Sequence, residues 1–282
     1  MKIDTAIKEA FLDLKHNNIK TALLDSEILM SKVLNEKRSE VLLNSERLLS
    51  KQDYTYFREL ISNRLLNKPI AYLTGKKSFW KYEFELNDKV LIPRPDTEVI
   101  IDQVLNIYKN KTNINFLEVG VGSGCIILSI LKEKKNFLGK GIDLSKDCLK
   151  SCKINADKLK VNHRLKLYKS DIDNFSLGKY DLIISNPPYI KKLDLNKLNK
   201  EVANFEPKMA LDGGLDGLSK IRKIIIRSSK LIKKNGKLIL EIAHDQKKEV
   251  KKILNYYGFY VNKILKDLAN NDRCIISTKY KE

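Results

Sequence analysis

From residue 113 onward, short apolar runs alternate with amphipathic stretches, and this alternation constrains the fold more than any other feature. INFLEVG, NFLGKGID, LKLYKSD, YDLIISN and GKLILEIA read as strands, with helical stretches at about 124–133, 145–159, 217–233 and 245–257. Parallel strands need long crossovers, so the pattern predicts βαβ units and an α/β fold with a mostly parallel, doubly wound sheet. YVNKILKDL and RCIISTK supply a final pair of strands. Residues 1–67 have helical periodicity instead. Ile3, Ile7, Ala10, Phe11 and Leu14 share one stripe; Leu23 or Leu24, Ile28 and Val33 or Leu34 form the next; Val41, Leu42 and Leu48 or Leu49 follow. A fourth helix is predicted through DYTYFRELISNRLLN, before breakers at Pro69 and Gly75. In SFWKYEFELNDKVLI, Trp80, Tyr82, Phe84 and Leu86 alternate, and Asn87-Asp88 is predicted as the turn of a hairpin. PRPDTEVIIDQVLNIYK then opens a helix on proline. The expected organisation is a helical domain over 1–75, a β-hairpin linker over 76–92 and an α/β domain over 93–282.

No run approaches the ~18 apolar residues of a membrane span, and MKIDTAIKEAFLDLK has no continuous apolar core of a signal peptide. A soluble cytoplasmic protein is expected. The net charge of +19 invites a nucleic-acid partner, but only nine of the 54 basic residues are Arg, the residue that phosphate and base recognition recruits. No stable nucleic-acid partner is expected. Cys125, Cys148, Cys152 and Cys274 with His16, His163 and His244 have no metal-ligand spacing, so no metal is expected.

The chemistry lies at strand ends. After Glu118, Gly120, Gly122 and Gly124 alternate with Val121 and Ser123, which lets the backbone turn tightly and present N–H groups at a helix N-terminus. A dinucleotide G-x-G-x-x-G would need glycine at Cys125; E-x-G-x-G-x-G is the form found in S-adenosylmethionine (AdoMet) sites. Nineteen residues past Gly124, Asp143 ends the next strand, where an acid accepts both hydroxyls of a ribose or caps a helix. The glycine turn and the acid together point to a nucleoside-containing cofactor.

Two strands later the chain leaves the sheet as Asn186-Pro187-Pro188-Tyr189. Pro187 holds Asn186 extended, and the prolines fix their own φ. The Asn186 carboxamide oxygen and the Pro187 carbonyl are then two acceptors suited to one –NH2 group, with the Tyr189 ring nearby. They can orient a conjugated nitrogen toward an electrophilic methyl and stabilise its developing positive charge. Asn-Pro-Pro-Tyr marks methyltransferases of planar nitrogens and leaves adenine N6, in DNA or RNA, and glutamine N5 both open.

NKPIAYLTGKKSFWKYEFELNDKVLIPRPDTEVII, SNPPYI, FEPKMALDGGLDGL and KDLANNDRCII together resemble the PrmC/HemK family over essentially the whole chain. The resemblance implies a Rossmann-like class I AdoMet-dependent methyltransferase sheet with a small N-terminal helical domain and a linking β-hairpin. It implies methylation of the Gly-Gly-Gln glutamine of peptide-chain release factors, with AdoMet as cofactor and residues 1–75 recognising the protein substrate. By position it implies a cofactor loop at Gly120, Val121, Gly122, Ser123 and Gly124, a ribose contact at Asp143, an adenine-side contact at Ile172 and a cofactor contact at Asn186. It also implies a glutamine grip at Asn186, Pro187, Pro188 and Tyr189, with Asn186, Pro187 and Tyr189 catalytic. Position 172 often carries an aromatic in relatives; Ile172 can pack on adenine without stacking. Ala243 and Asn270 stand where relatives tend to have glycine.

Overall fold

The computed structural model describes residues 1–280. The chain forms two compact units, Met1–Lys76 with Asn199–Phe205, and Lys77–Leu198 with Glu206 onward. In the first, α1 (Ile3–His16), α2 (Ala22–Leu34), α3 (Arg38–Leu43), α4 (Lys51–Leu65) and α5 (Ile70–Thr74) pack around Ile3, Leu14, Leu29, Met30, Phe57 and Ile61. The α1 stripe is as its periodicity predicts. The α2 stripe is not: Leu23 and Leu24 are exposed, and Ala22, Asp25, Ser26, Leu29 and Met30 face inward. The inward face of α2 carries a buried carboxylate, so apolar periodicity misplaces it. Arg64 Nε of α4 donates to Asp25 Oδ2 at 2.7 Å, with Arg64 3% and Asp25 4% exposed. Arg64 Nη1 donates to the Lys68 carbonyl (3.1 Å) and Nη2 to Glu201 Oε1 (2.7 Å), which satisfies the buried guanidinium in full view of its acceptors. Glu201 belongs to the short returning segment grouped with this unit.

A hairpin of β1 (Lys76–Phe79) and β2 (Tyr82–Glu85) comes next. Its turn lies at Trp80-Lys81, seven residues ahead of the predicted Asn87-Asp88. Trp80 takes a left-handed φ of 56°; its amide donates to Glu98 Oε1 (2.8 Å) and its indole N–H to Glu133 Oε1 (3.0 Å). Remote carboxylates thus hold a conformation that local turn chemistry does not suggest. Asn87 does form a turn, accepting from the Val90 amide at 3.2 Å, but no strand follows it.

The second unit continues through α6 (Glu98–Ile107), β3 (Asn115–Val119), α7 (Cys125–Glu133), β4 (Leu138–Asp143), α8 (Lys146–Lys158), β5 (Leu165–Lys169) and β6 (Tyr180–Ser185). After α9 (Lys200–Phe205), which groups with the helical unit, come α10 (Ser219–Leu231), β7 (Ile232–Glu241), α11 (Lys247–Tyr256), β8 (Phe259–Lys266) and β9 (Asp272–Lys279). The sheet order is β5-β4-β3-β6-β7-β9-β8. The first five strands in this order are parallel, and β9 runs antiparallel to β7 and β8. Period two divides the strand side chains between two cores: Phe116, Leu182, Ile184 and Ile239 on one face, Leu117, Ile183, Leu238 and Leu240 on the other. Burial on both faces explains the continuous apolar runs. Among the described residues no helix is long and apolar enough to cross a membrane.

The chain reverses direction across the sheet between β3 and β6. From β3 it proceeds outward to β4 and β5, then returns to place β6 on the other side of β3. Val119 is in register with Ser185, and also with Ile142. Gly120, Asn186 and Asp143 therefore emerge together at the carboxyl edge of three neighbouring strands, where open α/β sheets bind ligands.

Candidate active site

A cavity opens at this edge. Gly120, Val121, Gly122, Ser123, Asp143, Ile172, Asn186, Pro187 and Pro188 all line it. Its wall runs from Lys89 to Ile224 and is drawn from the second unit alone. Gly120 has φ 78°, and a Cβ there would meet nothing within 4 Å, so its backbone faces open space, leaving room for a ligand to approach closely. Gly124 does not line the cavity. It opens α7 at φ 82°, and a Cβ would stand 2.6 Å from Cys152 Sγ and 2.8 Å from Leu128 Cδ1, so its place is set by packing behind the loop. Glu118 is buried beneath the turn and accepts from the Ile127 amide at 2.9 Å, tying β3 to the first turn of α7. Burial pushes its pKa well above the usual carboxylate range, and the charge of Asp143 adds to the rise.

Asp143 braces the same loop. Its Oδ2 accepts from the Gly122 amide at 3.0 Å and its Oδ1 from the Ser145 amide at 2.9 Å. Burial raises its pKa, opposed by those amides. Ser145, not Asp143, caps α8, accepting from the Cys148 amide at 3.3 Å. Asp143 lines the cavity, where a carboxylate, which only accepts, can meet the hydroxyls of a diol. Ile172, 6% exposed, begins a short 3-10 turn on the adjoining wall. A backbone cradle with room at Gly120, a strand-end carboxylate and an apolar wall suit a nucleoside cofactor. Asp143→Ala is expected to weaken AdoMet binding about 10- to 100-fold, because hydrogen bonds to a charged group contribute roughly 1.5–3 kcal/mol. Calorimetry on the folded variant checks this; unchanged affinity would reject the ribose role.

Asn186 is half-buried at the exit of β6, and its Nδ2 donates to Thr97 Oγ1 at 3.1 Å. Thr97, just ahead of α6, donates onward to Glu241 Oε2 at 2.7 Å. Glu241 closes β7, and its Oε1 accepts from the Tyr189 hydroxyl at 3.2 Å. Arg273 Nη1 of β9 donates to that hydroxyl at 3.4 Å. No donor among the described residues reaches Asn186 Oδ1. Tyr189 does not line the cavity: its ring packs against the core on one face of the sheet, and its hydroxyl turns toward Glu241. Burial pushes Tyr189 up, and pushes Glu241 up to about 7 despite Thr97, Arg273 and Tyr189. Thr97, which lines the cavity, and its hydrogen-bond partner Glu241 are not among the residues expected from the sequence. Glu241 gives the same signal as Asp143, an acid ending an apolar strand, and Thr97 lies within the quoted PRPDTE run. The four cysteines are free thiols, Cys125 and Cys148 half-buried, Cys152 and Cys274 buried.

This seven-stranded arrangement is shared with a solved methyltransferase from Pyrococcus furiosus (TM-score 0.55, 19% identity, 78% of this chain and 98% of that chain), and it is the fold of class I AdoMet-dependent methyltransferases. Residues 5–75 match the PrmC N-terminal domain and residues 97–205 the methyltransferase small domain. The chain is 33% identical to the release factor glutamine methyltransferase of Caulobacter vibrioides, over 99% of this chain and 96% of that one. It is 35% identical to that of Clostridium acetobutylicum, over 99% of both. The chain belongs to the release factor glutamine methyltransferase family.

Proposed function

We propose that this chain methylates N5 of the glutamine in the Gly-Gly-Gln motif of peptide-chain release factors, using AdoMet and supporting translation termination. The observation that carries the reading is the Asn186 carboxamide: its Nδ2 is held by Thr97, while its Oδ1, at a cavity-lining residue beside the glycine turn, has no protein donor. When bound, AdoMet would supply a methyl carbon activated by positive sulfur, with the thioether S-adenosylhomocysteine as its product. Gly120, Val121, Gly122 and Ser123 would hold it by backbone, Asp143 by the ribose hydroxyls and Ile172 by the adenine face. Asn186 Oδ1 and the Pro187 carbonyl accept from the glutamine –NH2 and turn its nitrogen toward the methyl side. As that nitrogen gains positive charge, both dipoles stabilise it without reorganising. The N–H proton released afterwards passes to water.

The helical unit, which matches the PrmC N-terminal domain and adds no residue to the cavity wall, would recognise the release factor. The test is mass spectrometry of the Gly-Gly-Gln peptide after incubation of release factor, AdoMet and this protein, with labelled AdoMet and DNA or RNA in parallel. One methyl on the glutamine is the expected result. Label in nucleic acid with unmodified glutamine would overturn the reading in favour of an adenine-N6 substrate.

A further inference from the structure

We propose that Thr97 and Glu241 are positioning residues that decide which edge of the Asn186 carboxamide meets the substrate. The proposal rests on the glutamine-methylation reading and adds to it a relay of hydrogen-bond polarity.

An ionised carboxylate only accepts, and a threonine hydroxyl has one proton. With Glu241 ionised, the Thr97 proton is committed to Oε2 at 2.7 Å. The Thr97 oxygen can then only accept, and Asn186 must present Nδ2 to it, at 3.1 Å. The other edge of the carboxamide, Oδ1, is left for the substrate –NH2. Arg273, which only donates, enforces the same polarity from the far side. Its Nη1 points at the Tyr189 oxygen, so the phenolic proton goes to Glu241 Oε1 at 3.2 Å. Both oxygens of Glu241 therefore meet donors.

Protonated Glu241 undoes this order. It can donate to Thr97, whose own proton is then free for Asn186 Oδ1, and the carboxamide can turn over. Its –NH2 would then oppose the glutamine –NH2, donor against donor. The groups facing Glu241 are Thr97 and Asp96 ahead of α6, Tyr189 after β6, Arg273 and Cys274 on β9, and Cys125 on α7; Arg94 acts on Tyr189. Burial places the Glu241 pKa at about 7, so the relay ionises, and transfer speeds up, as pH rises through that value.

The experiment measures single-turnover methyl transfer to release factor at saturating AdoMet on either side of pH 7, with AdoMet affinity measured separately. Thr97→Val is expected to slow transfer about 10- to 100-fold with AdoMet affinity unchanged, the loss typical of a misaligned reacting group. Thr97→Ser, which keeps the hydroxyl, is expected to restore transfer to within about threefold. Glu241→Gln is expected to remove the acid limb seen in the unmodified protein. A Thr97→Val rate equal to wild type overturns the proposal. So does an equal loss in Thr97→Val and Thr97→Ser, which marks a packing role, or an acid limb that persists in Glu241→Gln. An unmodified protein inert toward release factor overturns the functional reading and this proposal with it, whereas an active one with a normal Thr97→Val variant overturns this proposal alone.

Discussion

Asn186→Ala is expected to lower single-turnover methyl transfer by about 10²–10³-fold, the loss seen when one preorganised electrostatic contact is removed, while leaving most AdoMet binding intact. The alanine takes away the acceptor that grips the substrate nitrogen, and misalignment adds to the lost stabilisation. Cofactor binding is spared because the glycine turn and Asp143 belong to other strand ends. Asn186→Asp separates grip from charge. It keeps an acceptor toward the cavity but places a second carboxylate against Thr97, whose single proton is already given to Glu241. Asp is therefore expected to lose activity as well, through repulsion between residues 186 and 241. If Asn186 merely ended a strand, Ala would lower stability and leave the rate alone; rates on folded, cofactor-saturated variants within a few-fold of wild type would eliminate the grip.

Arg64→Leu is expected to destabilise the helical unit by about 3–5 kcal/mol, because removing one partner of a buried pair strands the other. Asp25 would keep Thr21 Oγ1 as a donor at 2.9 Å, but no cation. Glu201 would suffer less, since its side chain is 39% exposed and can turn to water. Arg64→Leu with Asp25→Leu should recover much of the loss, as paired apolar replacements of buried ion pairs do. Denaturant midpoints for the two single variants and the double variant measure it; a single variant within about 1 kcal/mol of wild type would show that the pair holds little of the unit together.

The same two regions show what can be read from residues alone. The strands were legible because both faces of the sheet are covered, which writes long apolar runs into β3, β6 and β7. The Asn186 exit, the glycine turn and Asp143 were legible because parallel strands gather their carboxyl ends. The inward face of α2 was not, since the cation that Asp25 is buried against, Arg64, lies 39 positions away. Thr97 and Glu241 are 144 positions apart, and nothing local announces that they share a proton. Contiguity misled as well. Gly124 and Tyr189 sit inside the two quoted motifs, yet the turn of the backbone directs each away from the cavity, one onto Cys152 and the other onto Glu241. Neighbours in a motif need not face the same ligand.

The tightly bound turn at Trp80 has a practical consequence. It is the one tryptophan of the chain, and it belongs to the second unit, half-buried with its indole N–H on Glu133 and Lys81 Nζ 5.6 Å from its ring. Its fluorescence is a built-in reporter of that unit, and the helical unit has no tryptophan to confuse the signal. Helical ellipticity draws on both units. In Arg64→Leu, ellipticity lost at denaturant concentrations that leave tryptophan emission unshifted would locate the damage in the helical unit, with no label attached to either.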